Sequence, residues 1–222
     1  MKKFIGVTLV CVAVPAAVLH AGRGQWRNLG LTAFVVAVAP SDPGVVYAGS
    51  ADAVWRSEDS GRTWVHTGFR GNEVVSLVVN PADPQSVFVS SVLPGDQGAV
   101  LSKTEDGGVT WEAVLAQPFG TFLDLAIPAS EPDWMYLRWS DSNFFLKAYV
   151  GNILKSENGG LNWADMGPAA SIDPRQYWVG SLAVDPENPS LLYIESALGF
   201  MKSLDGGVSW TRIGPGPPTG QD

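Results

Sequence analysis

SEDSGRTW, running from Ser57 to Trp64, returns three times: as TEDGGVTW (Thr104 to Trp111), SENGGLNW (Ser156 to Trp163) and SLDGGVSW (Ser203 to Trp210). Successive copies begin 47, 52 and 47 residues apart, a period that marks propellers and solenoids. Each copy reads as a hairpin turn. The third position (Asp59, Asp106, Asn158, Asp205) caps turn amides, and the Ser-Gly or Gly-Gly pair after it supplies the positive φ of a tight bend. The first-position hydroxyl adds a bond to the same turn, and the closing Trp opens the next strand. These acidic residues are therefore expected to hold hairpins together rather than to catalyse.

A second piece recurs upstream of each octet. Pro40–Pro43 precedes Tyr47, Pro81–Pro84 precedes Phe88, Pro128–Pro132 precedes Tyr136 and Pro186–Pro189 precedes Tyr193. Apolar runs flank each of these turns, among them Phe34 to Ala39, Val74 to Val79, Phe122 to Ile127 and Leu182 to Val184. Short β-branched runs bounded by Pro, Gly and Asp are strands. One unit reads as strand a, Pro turn, strand b, loop, strand c, octet turn and strand d, which is a propeller blade. The expected fold is all-β, with four four-stranded blades at residues 26–64, 65–111, 112–163 and 164–210.

These residues carry a family resemblance. The octets resemble Asp boxes, or BNR repeats, and the whole unit is similar to the blades of Asp-box β-propellers. That group includes sialidases, xyloglucan-cleaving glycoside hydrolases, sortilin-type receptors and the photosystem II assembly and stability factor. The resemblance implies the fold but not one function, because enzymes and non-enzymes share the motif. The third copy departs from it at Asn158 and Asn162, which predicts a weaker latch.

Residues 1–21 read as an export signal: Lys2-Lys3, an apolar run from Phe4 to Leu19, and a small residue at Ala21. Sixteen apolar-run residues fall short of the roughly twenty of a bilayer span, so a cleaved leader is favoured over an uncleaved membrane tether. The expected location is periplasmic or extracellular. Cys11, the one cysteine, leaves with the leader, which removes disulfides and thiolate metal sites from the mature chain. Removing Lys2 and Lys3 takes the formal net charge from −8 to −10, and no basic stripe supports nucleic-acid binding. No metal or other cofactor is expected. Trp26 to Gly30 reads as an extra strand d, so four blades do not close neatly; a longer propeller or self-association would resolve this. Residues 214–222 read as a tail or the start of another blade.

The length variation lies on one face. From the strand b aromatic to the octet the spacing is 10, 16, 20 and 10 residues, and from Trp to the next Pro turn it is 14, 17, 17 and 23. Insertions gather on a binding face in repeat proteins. The third b–c connection is expected to carry Arg138, Trp139, Asp141, Phe144, Phe145, Lys147 and Tyr149, and the long d–a loop Asp173, Arg175, Tyr177 and Trp178. Arg138, Trp139, Phe144, Phe145, Arg175, Tyr177 and Trp178 form the candidate binding set, suited to sugar rings or a peptide; the alternative is that the aromatics extend strands b and c. Asp96, Asp141 and Asp173 are the weak candidates for a glycosidase acid–base pair. A sialidase arginine triad cannot be assigned, and His66, the only histidine beyond the leader, lacks a nucleophile elbow. The sequence thus reads first as an exported, non-catalytic module that binds or assembles with a protein. A glycoside hydrolase or polysaccharide-binding propeller is the alternative.

Overall fold

The computed structural model describes residues 33–70, 72–95, 98–143, 148–166, 179–196 and 199–214. They form sixteen strands in four antiparallel four-stranded sheets, each built from consecutive strands. Sheet 1 comprises β1 (Val35–Ala39), β2 (Asp42–Gly49), β3 (Ala53–Ser57) and β4 (Val65–Arg70). Sheet 2 comprises β5 (Glu73–Val79), β6 (Val87–Val92), β7 (Ala99–Thr104) and β8 (Glu112–Gln117). Sheet 3 comprises β9 (Thr121–Ala126), β10 (Met135–Asn143), β11 (Ala148–Ser156) and β12 (Ala164–Asp165). Sheet 4 comprises β13 (Val179–Val184), β14 (Leu192–Ser196), β15 (Gly199–Ser203) and β16 (Thr211–Ile213). The expected leader, residues 1–21, and the tail from 215 lie outside the described residues.

Strands b and c carry apolar side chains on both faces because each sheet is sandwiched between neighbours. Val87, Phe88, Val89 and Leu101 are all at most 1% exposed. The core is accordingly not one mass but a series of seams. Tyr47, Val54 and Phe69 of sheet 1 pack with Leu77, Val79 and Val87 of sheet 2. Phe88, Ala99 and Leu101 pack with Phe122, Met135 and Leu137 of sheet 3. Tyr136 and Ile153 pack with Leu182, Leu192 and Met201 of sheet 4. Strand d is the thin, wet edge: β12 and β16 are two and three residues long and wholly exposed, which limits edge-to-edge pairing.

Two sequence expectations need correction. Strand d starts one residue after the octet Trp, at Val65, Glu112, Ala164 and Thr211. The cause is that each indole folds back and donates its Nε1–H to the fifth octet residue, Gly61, Gly108, Gly160 or Gly207, at 3.0–3.1 Å. Arg138, Trp139 and Asp141 lie within β10 rather than in a b–c loop. The β10–β11 ladder runs on in unbroken register from Met135↔Ser156 to Asn143↔Ala148, so the third insertion lengthens the hairpin and places Tyr149 in β11.

Candidate functional site

The octet face is built as a set of latches. In every copy the buried first-position hydroxyl donates to the third-position side chain at 2.8–3.0 Å and accepts the fifth-position amide at 2.8–3.0 Å. The fourth and fifth residues both have positive φ, from 59° at Ser60 to 96° at Gly108, the region glycine enters without penalty. That bend aims the fourth-position amide at the Pro turn of its own sheet. Ser60, Gly107, Gly159 and Gly206 donate to the carbonyls of Gly44, Gln85, Asp133 and Ser190 at 2.9–3.0 Å. The Pro and octet turns therefore share one face, and the b–c and d–a connections lie on the other.

Asp59 accepts from the amides of Arg62 and Thr63 and from the Thr63 hydroxyl, and these bonds hold its carboxyl well below the usual range. The hydroxyl and amide of Thr110, and of Ser209, hold Asp106 and Asp205 at about 2. Asn158 accepts only from the Ser156 hydroxyl and the Asn162 amide, a smaller set with no seventh-position hydroxyl. Carboxylates this fully engaged by their own turns are structural anions. His66 is occupied as well: Nδ1 faces the Thr67 carbonyl, Nε2 meets Arg70 Nη1 at 3.0 Å, and Trp55 packs edge-on at 4.7 Å. Both ring nitrogens are used, so neither is left to act as a general base. A cleft of about 490 Å³ beside it, lined by Arg56, Glu58, Thr63, Asp106 and Val109 among others, is a gap between two latched turns. Among the described residues no group of three His, Cys, Asp or Glu side chains could hold a metal.

The opposite rim is different in sheet 3. Arg138 Nε donates to Asp124 Oδ2 at 2.8 Å; the Arg138 side chain is 11% exposed and that of Asp124 40%. Beside it, half-buried Trp139 donates Nε1–H to the Phe119 carbonyl at 3.3 Å, and Phe119 itself is 62% exposed. Trp139 pairs across the ladder with Asn152, whose amide donates to Asp165 at 3.1 Å while its buried Oδ1 has no protein partner. At this rim an indole and an amide, beside an exposed phenyl, thus lie on one face of sheet 3 and the guanidinium–carboxylate pair on the other, because successive strand residues alternate. Such a set suits the apolar faces and hydroxyls of a sugar chain.

Of the residues singled out from sequence, Arg138 and Trp139 lie at this rim on opposite faces of β10, and Asp141 stands opposite Val150 further along the same hairpin. Asp96, Phe144, Phe145, Lys147, Asp173, Arg175, Tyr177 and Trp178 lie outside the described residues. Sequence reasoning missed Asp124, Phe119, Asn152 and Asp165. Asp124 carried a signal: a carboxylate interrupting the apolar run from Phe122 to Ile127.

Solved structures share the fold of the four sheets. An ancestral GH74 enzyme superposes over 82% of the chain with a TM-score of 0.65 at 24% identity. The fold is a β-propeller, and the four sheets are its blades. The GH74 xyloglucanase from Xanthomonas campestris gives a TM-score of 0.60 over 79% of the chain at 22% identity. In sequence, a xyloglucanase from a Paenibacillus species is 27% identical over 205 residues, covering 79% of this chain and 20% of its own. Xyloglucanase Xgh74A of Acetivibrio thermocellus is 27% identical over 214 residues, covering 80% of this chain and 25% of its own. The chain spans a fifth to a quarter of the length of these two curated relatives. No family model matches it.

Proposed function

We propose that this chain is an exported Asp-box propeller that binds a xyloglucan-type polysaccharide along the b–c rim of blade 3, as part of a glycoside hydrolase activity. The observation that carries the reading is the similarity to xyloglucanases across four-fifths of the chain, joined to an aromatic and ion-paired edge at Trp139, Arg138 and Asp124. Trp139 and Phe119 offer stacking surface, and Arg138 holds Asp124 in a fixed orientation against solvent. In the retaining and inverting mechanisms two carboxyl groups about 5–9.5 Å apart flank the scissile bond. Asp124, held by Arg138, is the candidate among the described rim carboxylates for one such role. A polysaccharide met outside the cell also suits the leader read at residues 1–21. The protein-assembly reading rests mostly on loop residues outside the described set, so the carbohydrate reading has the stronger support.

The test is titration of soluble xyloglucan oligosaccharides into the protein, with reducing-end release assayed in parallel. Saturable binding is expected, and Trp139→Ala should weaken it at least about tenfold, or about 1.4 kcal/mol. Asp124→Asn should remove any reducing-end release while retaining measurable binding. No binding to xyloglucan, cellulose or other β-glucan, with capture of a protein instead, would contradict the carbohydrate reading and favour the assembly module.

A further inference from the structure

The blades meet through a repeated contact code. At each internal seam the strand b aromatic and a strand c residue of one blade cover two strand a residues of the next. Tyr47 and Val54 meet Leu77 and Val79; Phe88 and Leu101 meet Leu125 and Ile127; Tyr136 and Ile153 meet Leu182 and Val184. Polar atoms sign the same seams. Tyr47 Oη donates to the Pro84 carbonyl at 2.9 Å, Tyr136 Oη to the Pro189 carbonyl at 2.8 Å, and Lys103 Nζ to the Gly159 carbonyl at 3.2 Å.

Each end of the stack keeps one half of this code. On blade 4 the strand c position held by Val54, Leu101 and Ile153, at 0–2% exposure, is Phe200, at 60%. Its aromatic, Tyr193, is half-buried, where its three counterparts are at most 1% exposed. Lys202 occupies the place of Arg56, Lys103 and Lys155. Each of those is ion-paired at 2.5–2.6 Å to a glutamate two residues on; after Lys202 that position is Leu204, itself 70% exposed. On blade 1 the strand a positions of Leu77 and Val79 are Val36 and Val38, each 53% exposed.

We propose that two copies of this chain associate head to tail, the blade 4 face of each receiving the blade 1 face of the other. Phe200 and Tyr193 cover Val36 and Val38 of the second copy, Tyr193 Oη donates to its Pro43 carbonyl, and Lys202 Nζ to its Ser60 carbonyl. Ser60 stands where the other blades have Gly; a Cβ at Gly206 would lie 3.1 Å from Tyr136 Oη and 3.3 Å from Lys155 Nζ, so Tyr193 and Lys202 must each give by a few tenths of an ångström to admit Ser60. A heterologous contact of this kind closes into a ring if the rotation allows.

Light scattering on the full chain across a concentration series tests this. A particle of twice the monomer mass is expected. Phe200→Asp and Val36→Asp should each raise the dissociation constant at least about a hundredfold with unchanged circular dichroism, since both residues are exposed in the single chain. Mixing the two variants should restore association, because one wild-type seam re-forms between them. A monomer at all concentrations overturns the proposal. So does a dimer that survives Val36→Asp, which would place the contact tail to tail, and so does a mixture of the variants that stays monomeric.

Discussion

Ser57, Thr104, Ser156 and Ser203 are 1–2% exposed, and each hydroxyl both donates to the turn's Asp or Asn and accepts a backbone amide. Removing one strands a buried N–H. Ser57→Ala is therefore expected to cost about 1–3 kcal/mol, measured by urea denaturation, with Ser57→Thr close to wild type because Thr104 already fills that role. The carboxylates of the same turns predict a pH dependence. Asp59, Asp106 and Asp205 have folded values below the unfolded value of 3.8, so their contribution is complete above about pH 4 and is lost as pH falls toward about 2. Asn158 does not titrate. Amide exchange between pH 5 and 2 should therefore accelerate at Thr63, Thr110 and Ser209, while Asn162 shows no step beyond the intrinsic pH effect. A parallel step at all four positions would remove the carboxylates as the cause.

At the level of the strand and the seam, the tyrosines decide how blades are tied. Burial raises the Tyr47 hydroxyl and pushes that of Tyr136 up to about 12, so both remain protonated donors at neutral pH. Tyr47→Phe removes the bond to Pro84 and leaves Arg56 Nε without its 3.0 Å acceptor; a loss of about 1–2 kcal/mol is expected. Blade 2 carries the natural counterpart, Phe88, which is 1% exposed. Phe88→Tyr should gain up to about 1 kcal/mol by bonding the Pro132 carbonyl, and thermal denaturation of both variants checks the pair. Turns and strands could be read from sequence because Gly pairs, Pro turns and β-branched runs act locally. The extension of β10 to Asn143 could not, because it depends on hydrogen bonds between segments, whereas the fold-back of each Trp is local, to a carbonyl three residues earlier. The Arg138–Asp124 pair stayed hidden for the same reason: two strands must first be put in register.

Across the whole molecule, the two faces divide the work. One is held by its own hydrogen bonds, which occupy the third-position carboxylates Asp59, Asp106 and Asp205; the other carries the length variation and the aromatic edge at Phe119 and Trp139. A repeated turn with saturated acceptors has little left to offer a ligand, whereas the blade 3 rim presents the exposed Phe119 ring beside Trp139. An amide-detected NMR titration with a xyloglucan oligosaccharide tests this division most directly. The account predicts saturable shifts at residues 119–124, 138–140, 152 and 165, with the octets from Ser57, Thr104, Ser156 and Ser203 unmoved. Shifts confined to the octet turns, or none in either region at saturating sugar, would contradict it.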